Sequence, residues 1–179
     1  MDEKEQDEYI EKIEAEYQEQ IANSKKFVGG LAAVVSAIYL FLAYHQIAYP
    51  WQLRHQAPFQ GIVDASSVAI AELGAALTVG TAAAAVITFN SPQYNETTWR
   101  KILNYSLTLS LFMFGFWATA TFKVIMATPE GQAAAWVLLW KPLAPGICVA
   151  AAVTVIDELG KTSPEIARLK ASKYRLKKA

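Results

Sequence analysis

Four blocks of nearly unbroken apolar residues dominate the chain, at about 27–49, 64–90, 101–126 and 133–157. Short polar stretches separate them: "YPWQLRHQAPFQG", "NSPQYNETTWRK" and "ATPEGQ". Each block is about as long as a helix needs to cross a hydrocarbon core, ~20 residues for ~30 Å. A soluble helical bundle is the competing reading. It would place polar residues on the outward face of every turn, whereas "LTVGTAAAAVITF" and "LTLSLFMFGFWATATF" carry only scattered hydroxyls. The pattern therefore predicts an all-α fold, with residues 27–157 as an integral-membrane four-helix bundle.

Turn chemistry supports these limits. Asp64 is placed to cap the second span, and Thr128 followed by Pro129 suits the start of the fourth. Tyr49, Trp51, Tyr94, Trp99, Trp136 and Trp140 fall at the block ends, where an interfacial aromatic belt belongs.

Two polar arms flank the bundle. Residues 1–26 predict an acidic amphipathic helix whose narrow apolar stripe is Tyr9, Ile10, Ile13, Tyr17 and Ile21 at spacings of three and four. One stripe needs one partner surface, and Tyr9, Ile13, Tyr17 and Ile21 are the expected partner-binding positions. Residues 158–179 predict a second, basic helix, opened by Thr162 and Glu165 at capping-box spacing with Pro164 in its first turn. Its basic residues are Arg168, Lys170, Lys173, Arg175, Lys177 and Lys178. These arms are expected to contact each other, complementary partner surfaces or anionic headgroups.

Charge adds orientation. The formal net charge is zero, but nine of the sixteen acids lie in residues 1–26, while seven Lys or Arg against three acids follow from Asp157 onward. Lys25 and Lys26 precede the first span, Arg100 and Lys101 the third, and the basic tail follows the fourth, so the positive-inside rule puts both termini in the cytoplasm. An acidic start argues against a cleaved signal or transit peptide. The closing "RLKKA", with Lys177 third from the end and Arg175 where lysine is more usual, resembles basic endoplasmic-reticulum retrieval signals and tilts localisation that way. "NET", Asn95 to Thr97, fits a glycosylation acceptor that this orientation would leave unused.

Composition sharpens the membrane reading, with 54% hydrophobic and 12% aromatic residues, more than a soluble domain of this size carries. The single cysteine, Cys148, excludes an intrachain disulfide and any cysteine-based metal site. No zinc-protease, serine-hydrolase or nucleotide-loop motif occurs, and two histidines are too few to infer a metal or haem site.

Chemistry inside the spans narrows to a few ionisable groups. His45 and Lys123 lie near span ends and can snorkel. Glu72, eight residues after Asp64, and Lys141, ten after Gly131, fall ~12 and ~15 Å below the same end of the bundle at 1.5 Å per residue. Glu72 shares a helix face with Ala69, Ala76, Gly80 and Ala83, and small-residue faces are where membrane helices approach closely. Pro142, Pro145 and Gly146 predict a break beside Lys141. Three readings follow for Lys141, in order of preference: an ammonium snorkelling past Trp136 at a bent or re-entrant helix, a structural pair with Glu72, and a transport or catalytic role. Gly29, Ala33 and Ala37 are expected to form another packing ridge, on the first span, beside that of Ala76 and Gly80 on the second; the bulky third span, with Phe112, Phe114, Phe116, Trp117 and Phe122, is expected to face lipid or a partner subunit.

The sequence thus leads to a non-enzymatic accessory or scaffold subunit of a membrane complex, without cofactor, metal or nucleic acid. Its expected partners are membrane lipids and other membrane-protein subunits, with homo-oligomerisation as a further option. The alternative is a small oligomeric transporter or channel built on Glu72 and Lys141.

Overall fold

The computed structural model describes residues 3–91, 95–127 and 138–176. Among them every regular element is helical: α1 (Glu3–Ser24), a π turn (Lys25–Gly29), α2 (Gly30–Ala48), a 3-10 turn (Ala57–Phe59), α3 (Ala65–Thr88), α4 (Glu96–Ala127) and α5 (Trp140–Leu176). Four helices are long and apolar enough to cross a membrane. The end of the bundle carrying the 49–64 loop is called the outer end below, and the opposite one the inner end.

Helix α3 sits at the centre and packs against α2, α4 and α5. Its alanines permit this. Ala69, Ala71, Ala75, Ala76, Ala82, Ala83 and Ala85 are all buried, so three neighbours approach one backbone. Close contact also uses glycine: a Cβ on Gly29 would stand 2.9 Å from Ile87 Cγ1, and one on Gly74 would overlap Met113 of α4. Hydroxyls bridge the same gaps. Ser36 Oγ donates to Ala76 O at 2.8 Å, and Ser106 Oγ to Thr78 O at 2.8 Å.

The arms are helically continuous with the long apolar helices they flank. At the N-terminal end the helix runs from α1 into α2 through the π turn. A π turn absorbs one extra residue; the offset between Ile21 and Gly29 thereby falls from about 80° to about 20° of helix rotation, so both are buried on one face. At the C-terminal end α5 runs through Pro164. Thr162 does not start a new helix; its hydroxyl donates back to Glu158 O. The lost backbone bond at Pro164 is offset by packing on both sides of it, because Leu159 and Ile166 are buried in a cluster with Tyr17 and Ile21.

The stripe of α1 therefore has its partner within the chain. Tyr17 and Ile21 are buried, Ile13 packs against the same cluster, and Tyr17 Oη donates to Leu159 O at 2.9 Å; Tyr9 remains exposed. Arg168 is exposed on α5. Lys177, Lys178 and the side chains of Lys170, Lys173 and Arg175 lie outside the described residues, as do Tyr94, Thr128, Pro129, Gly131 and Trp136.

Two packing expectations change. Gly29 is buried, but Ala33 and Ala37 are exposed. The buried face of α2 is instead Ala32, Tyr39, Leu42, Ala43 and Gln46. Successive steps of four rotate ~40° each off the contact line, whereas alternating three and four follows it. On α4, Phe112, Phe114 and Phe122 are exposed as expected, but Trp117 is fully buried.

Candidate functional site: the buried ion pair

Glu72 and Lys141 meet in the outer half of the bundle. Lys141 Nζ donates to Glu72 Oε1, and both side chains are 0% exposed. The snorkelling geometry preferred from sequence is not adopted. Helical geometry explains the meeting: Glu72 stands two turns into α3 on its small-residue face, where Ala69, Ala76 and Ala83 are buried beside it. Lys141 sits in the first turn of α5, which begins at Trp140 after a turn at residue 139. Residues 133–137 lie outside the described residues; from Trp140 the helix runs on through Pro145 and Gly146, where the sequence predicted a break. Pro142 lies in the first turn, where a missing N–H breaks no bond. Pro145 is inside the helix and withholds the N–H that would otherwise bond the Lys141 carbonyl.

Three aromatic rings enclose the ammonium. The Trp117 centroid lies 4.2 Å from Lys141 Nζ, that of Trp140 5.3 Å and that of Phe59 5.9 Å. Phe59 and Trp117 meet edge to face at 5.6 Å. A desolvated cation over aromatic faces gains ~2 kcal/mol or more, which helps offset the several kcal/mol that burying each ion costs. The site thus draws on four segments: α3 supplies the anion, α5 the cation and one ring, α4 a second ring and the 49–64 loop a third.

The loop is tied down over this site. Gln46 Oε1 accepts from the Trp51 amide at 3.4 Å, where Trp51 adopts φ 66°, and Gln56 Nε2 donates to Leu42 O at 3.4 Å. His55 packs on Trp140 at 5.8 Å, as Tyr39 does at 6.1 Å. Burial holds the His55 imidazole down to about 4, with the positive charges of Lys141 and His45 acting in the same direction.

Sequence reasoning placed Glu72 and Lys141 at matching depth but missed their enclosure. Trp117 lies with Ala120, Thr121 and Val124 on a buried 3-4 face of α4, as Tyr39 does with Leu42, Ala43 and Gln46 on α2. Phe59, in the 49–64 loop, has no helical periodicity to mark it. Asp64 precedes α3 as expected, yet its side chain makes no capping bond. Asn95 has a local role not foreseen: its Oδ1 accepts from Thr98 N at 3.0 Å and Thr98 Oγ1 at 2.7 Å, capping α4.

Compared with protein-family models, curated proteins and solved structures, the chain matches none. Among the described residues no group of three or more His, Cys, Asp or Glu is arranged to hold a metal ion.

Proposed function

We propose that this protein is a non-enzymatic, four-span membrane subunit that associates with other membrane proteins, with the Glu72–Lys141 pair fixing how its helices pack. The carrying observation is the surface that the fold leaves open. Along α4, Leu111, Phe112, Phe122 and Met126 are each more than 60% exposed, and along α2 so are Tyr44 and Ile47. Exposed apolar faces of this extent call for lipid or a partner helix in contact with them. The ion pair supports a structural role, because each charge is neutralised by the other and both are shut from solvent.

In this reading both termini face the cytoplasm, where Lys25, Lys26, Arg100, Lys101 and the basic tail gather. The basic C-terminus favours residence in the endoplasmic reticulum. The self-docked arms, with Tyr9 and Arg168 left exposed, present one composite surface to cytoplasmic partners.

The test is photo-crosslinking from a benzophenone amino acid at Phe112 and at Tyr9 in native membranes, followed by purification in mild detergent. Defined protein adducts at either position support the subunit reading. Adducts to lipid alone at Phe112, none at Tyr9 and a protein that migrates by itself would refute it.

A further inference from the structure

The 49–64 loop, the start of α3 and the outer part of α4 border a groove of about 970 Å³, at the upper end of the ~300–1,000 Å³ typical of ligand clefts. It is charged at one end and apolar at the other. Among the described residues Lys123 and Asp64 are the charged groups lining it, with Ser67 one turn beyond Asp64 on α3. The facing pairs Gly74 with Met113 and Thr78 with Ser106 set the register of α3 against α4, which brings Asp64 level with residues 120–123. Both charges therefore stand near the outer end of the bundle, on different walls. Neither is satisfied within the chain: Lys123 and Asp64 form no ion pair with each other or with another described residue, and the Asp64 side chain makes no capping bond.

Below them the lining turns apolar. On α4 it descends from Lys123 through Phe116, Gly115 and Phe112 to Leu111, twelve residues or ~18 Å at 1.5 Å per residue, about one leaflet of a ~30 Å hydrocarbon core. The one hydroxyl that α4 places on that path, Thr119, is committed to Gly115 O at 2.8 Å. A Cβ on Gly115 would meet no side chain or neighbouring element within 4 Å, so the space over this glycine is open. Leu111 and Phe112 are exposed, which opens the lower part sideways toward the bilayer. Trp51 borders the groove as well, and indoles sit at headgroup level.

We propose that this groove seats one phospholipid with an ethanolamine headgroup: the phosphate accepts from Lys123, the ammonium donates to Asp64 and Ser67, and an acyl chain lies over Gly115 toward Leu111. Opposite charges at one end and a chain-long apolar floor match such a lipid in both charge and depth. A singly anionic headgroup would leave Asp64 facing like charge, and choline has no N–H to donate to it. The proposal rests on the membrane reading above and leaves α2 and the arms to protein partners.

The test places the full chain in phosphatidylcholine vesicles with a trace of phosphatidylethanolamine carrying a diazirine on one acyl chain, and maps photo-adducts by peptide mass spectrometry. Adducts on residues 111–119 should exceed those on exposed α2, and should exceed those from the matching phosphatidylglycerol by about threefold, as an exposed charge pair gives. Gly115→Leu fills open space with a better helix former and should lower the 111–119 adducts to the α2 level. Asp64→Asn should keep the adducts but lose the headgroup preference. Equal labelling of α2 and 111–119, unchanged in Gly115→Leu, overturns the groove and keeps the membrane reading. Labelling of α2 alone does the same, the groove then being held by another part of this chain or by a partner protein. Adducts on none of the apolar helices overturn the membrane reading and the groove with it. Should Gly115→Leu fail to fold, the unmutated protein decides: equal adducts from the two headgroups overturn the proposal.

Discussion

Breaking the ion pair one side at a time yields a double-mutant cycle with a pH signature. Lys141→Met leaves a carboxyl in a site with 0% exposure, and the cheapest remedy is to neutralise it. For an ordinary glutamate near 4.3 at pH 7 that costs ~3.7 kcal/mol; for the lysine left by Glu72→Gln, near 10.4, it costs ~4.6 kcal/mol. Both fall in the ~3–5 kcal/mol range measured when one member of a buried pair is removed. The double variant leaves neither charge and should recover most of the loss, so that it costs less than either single variant and the cycle is strongly non-additive. The assay is unfolding in mixed micelles, titrated with denaturing detergent and followed by helical circular dichroism.

The sign of the pH response is fixed by the same reasoning. In Lys141→Met the carboxyl is neutral when folded and ionised when unfolded, so folding takes up a proton. Stability then rises as pH falls toward about 4.3, by ~1.4 kcal/mol per pH unit. In Glu72→Gln folding releases a proton, and stability rises as pH increases toward about 10.4. Additive single effects with no pH dependence would refute the buried pair as drawn.

Three further outcomes are expected. His55→Asn should flatten the acid limb of the stability curve: its imidazole, pushed from 6.5 to about 4, binds protons more readily unfolded than folded, so wild-type stability is lost as pH falls from 6.5 through about 4, and identical limbs in detergent melts would contradict the burial of this ring. Tyr17→Phe removes the bond to Leu159 O and should cost ~0.5–1.5 kcal/mol, seen as faster limited proteolysis within α1 while the spans stay protected; unchanged cleavage would mean that the arm is not held there. Asn95→Ala removes the cap of α4 and should cost ~1 kcal/mol, whereas Asn95→Asp should retain most of that stability in the same melts.

Much of the fold was written in local pattern. Hydropathy located four helices long and apolar enough to cross a membrane, because apolar runs of ~20 residues are legible without any tertiary contact, and the small-residue face of Ala69, Ala76, Gly80 and Ala83 announced where α3 is approached. Helix rise alone set Glu72 and Lys141 at similar depth, since depth along a helix is counted in residues. Azimuth is not so simply counted. Ala33 and Ala37 point outward although Gly29 packs, and Trp117 turns inward although its neighbours Phe114 and Phe112 do not, because the contact line depends on how neighbouring helices cross.

The sequence by itself determined that four helices are long and apolar enough to cross a membrane, and which two charges have to be accommodated among them, all of which follow from composition and rise along one helix. Only the tertiary structure decided that Lys141 turns inward, that Trp117, Trp140 and Phe59 enclose it, and that the stripe of α1 closes on α5. Those contacts join residues far apart in the chain, and their partners are selected by packing in three dimensions.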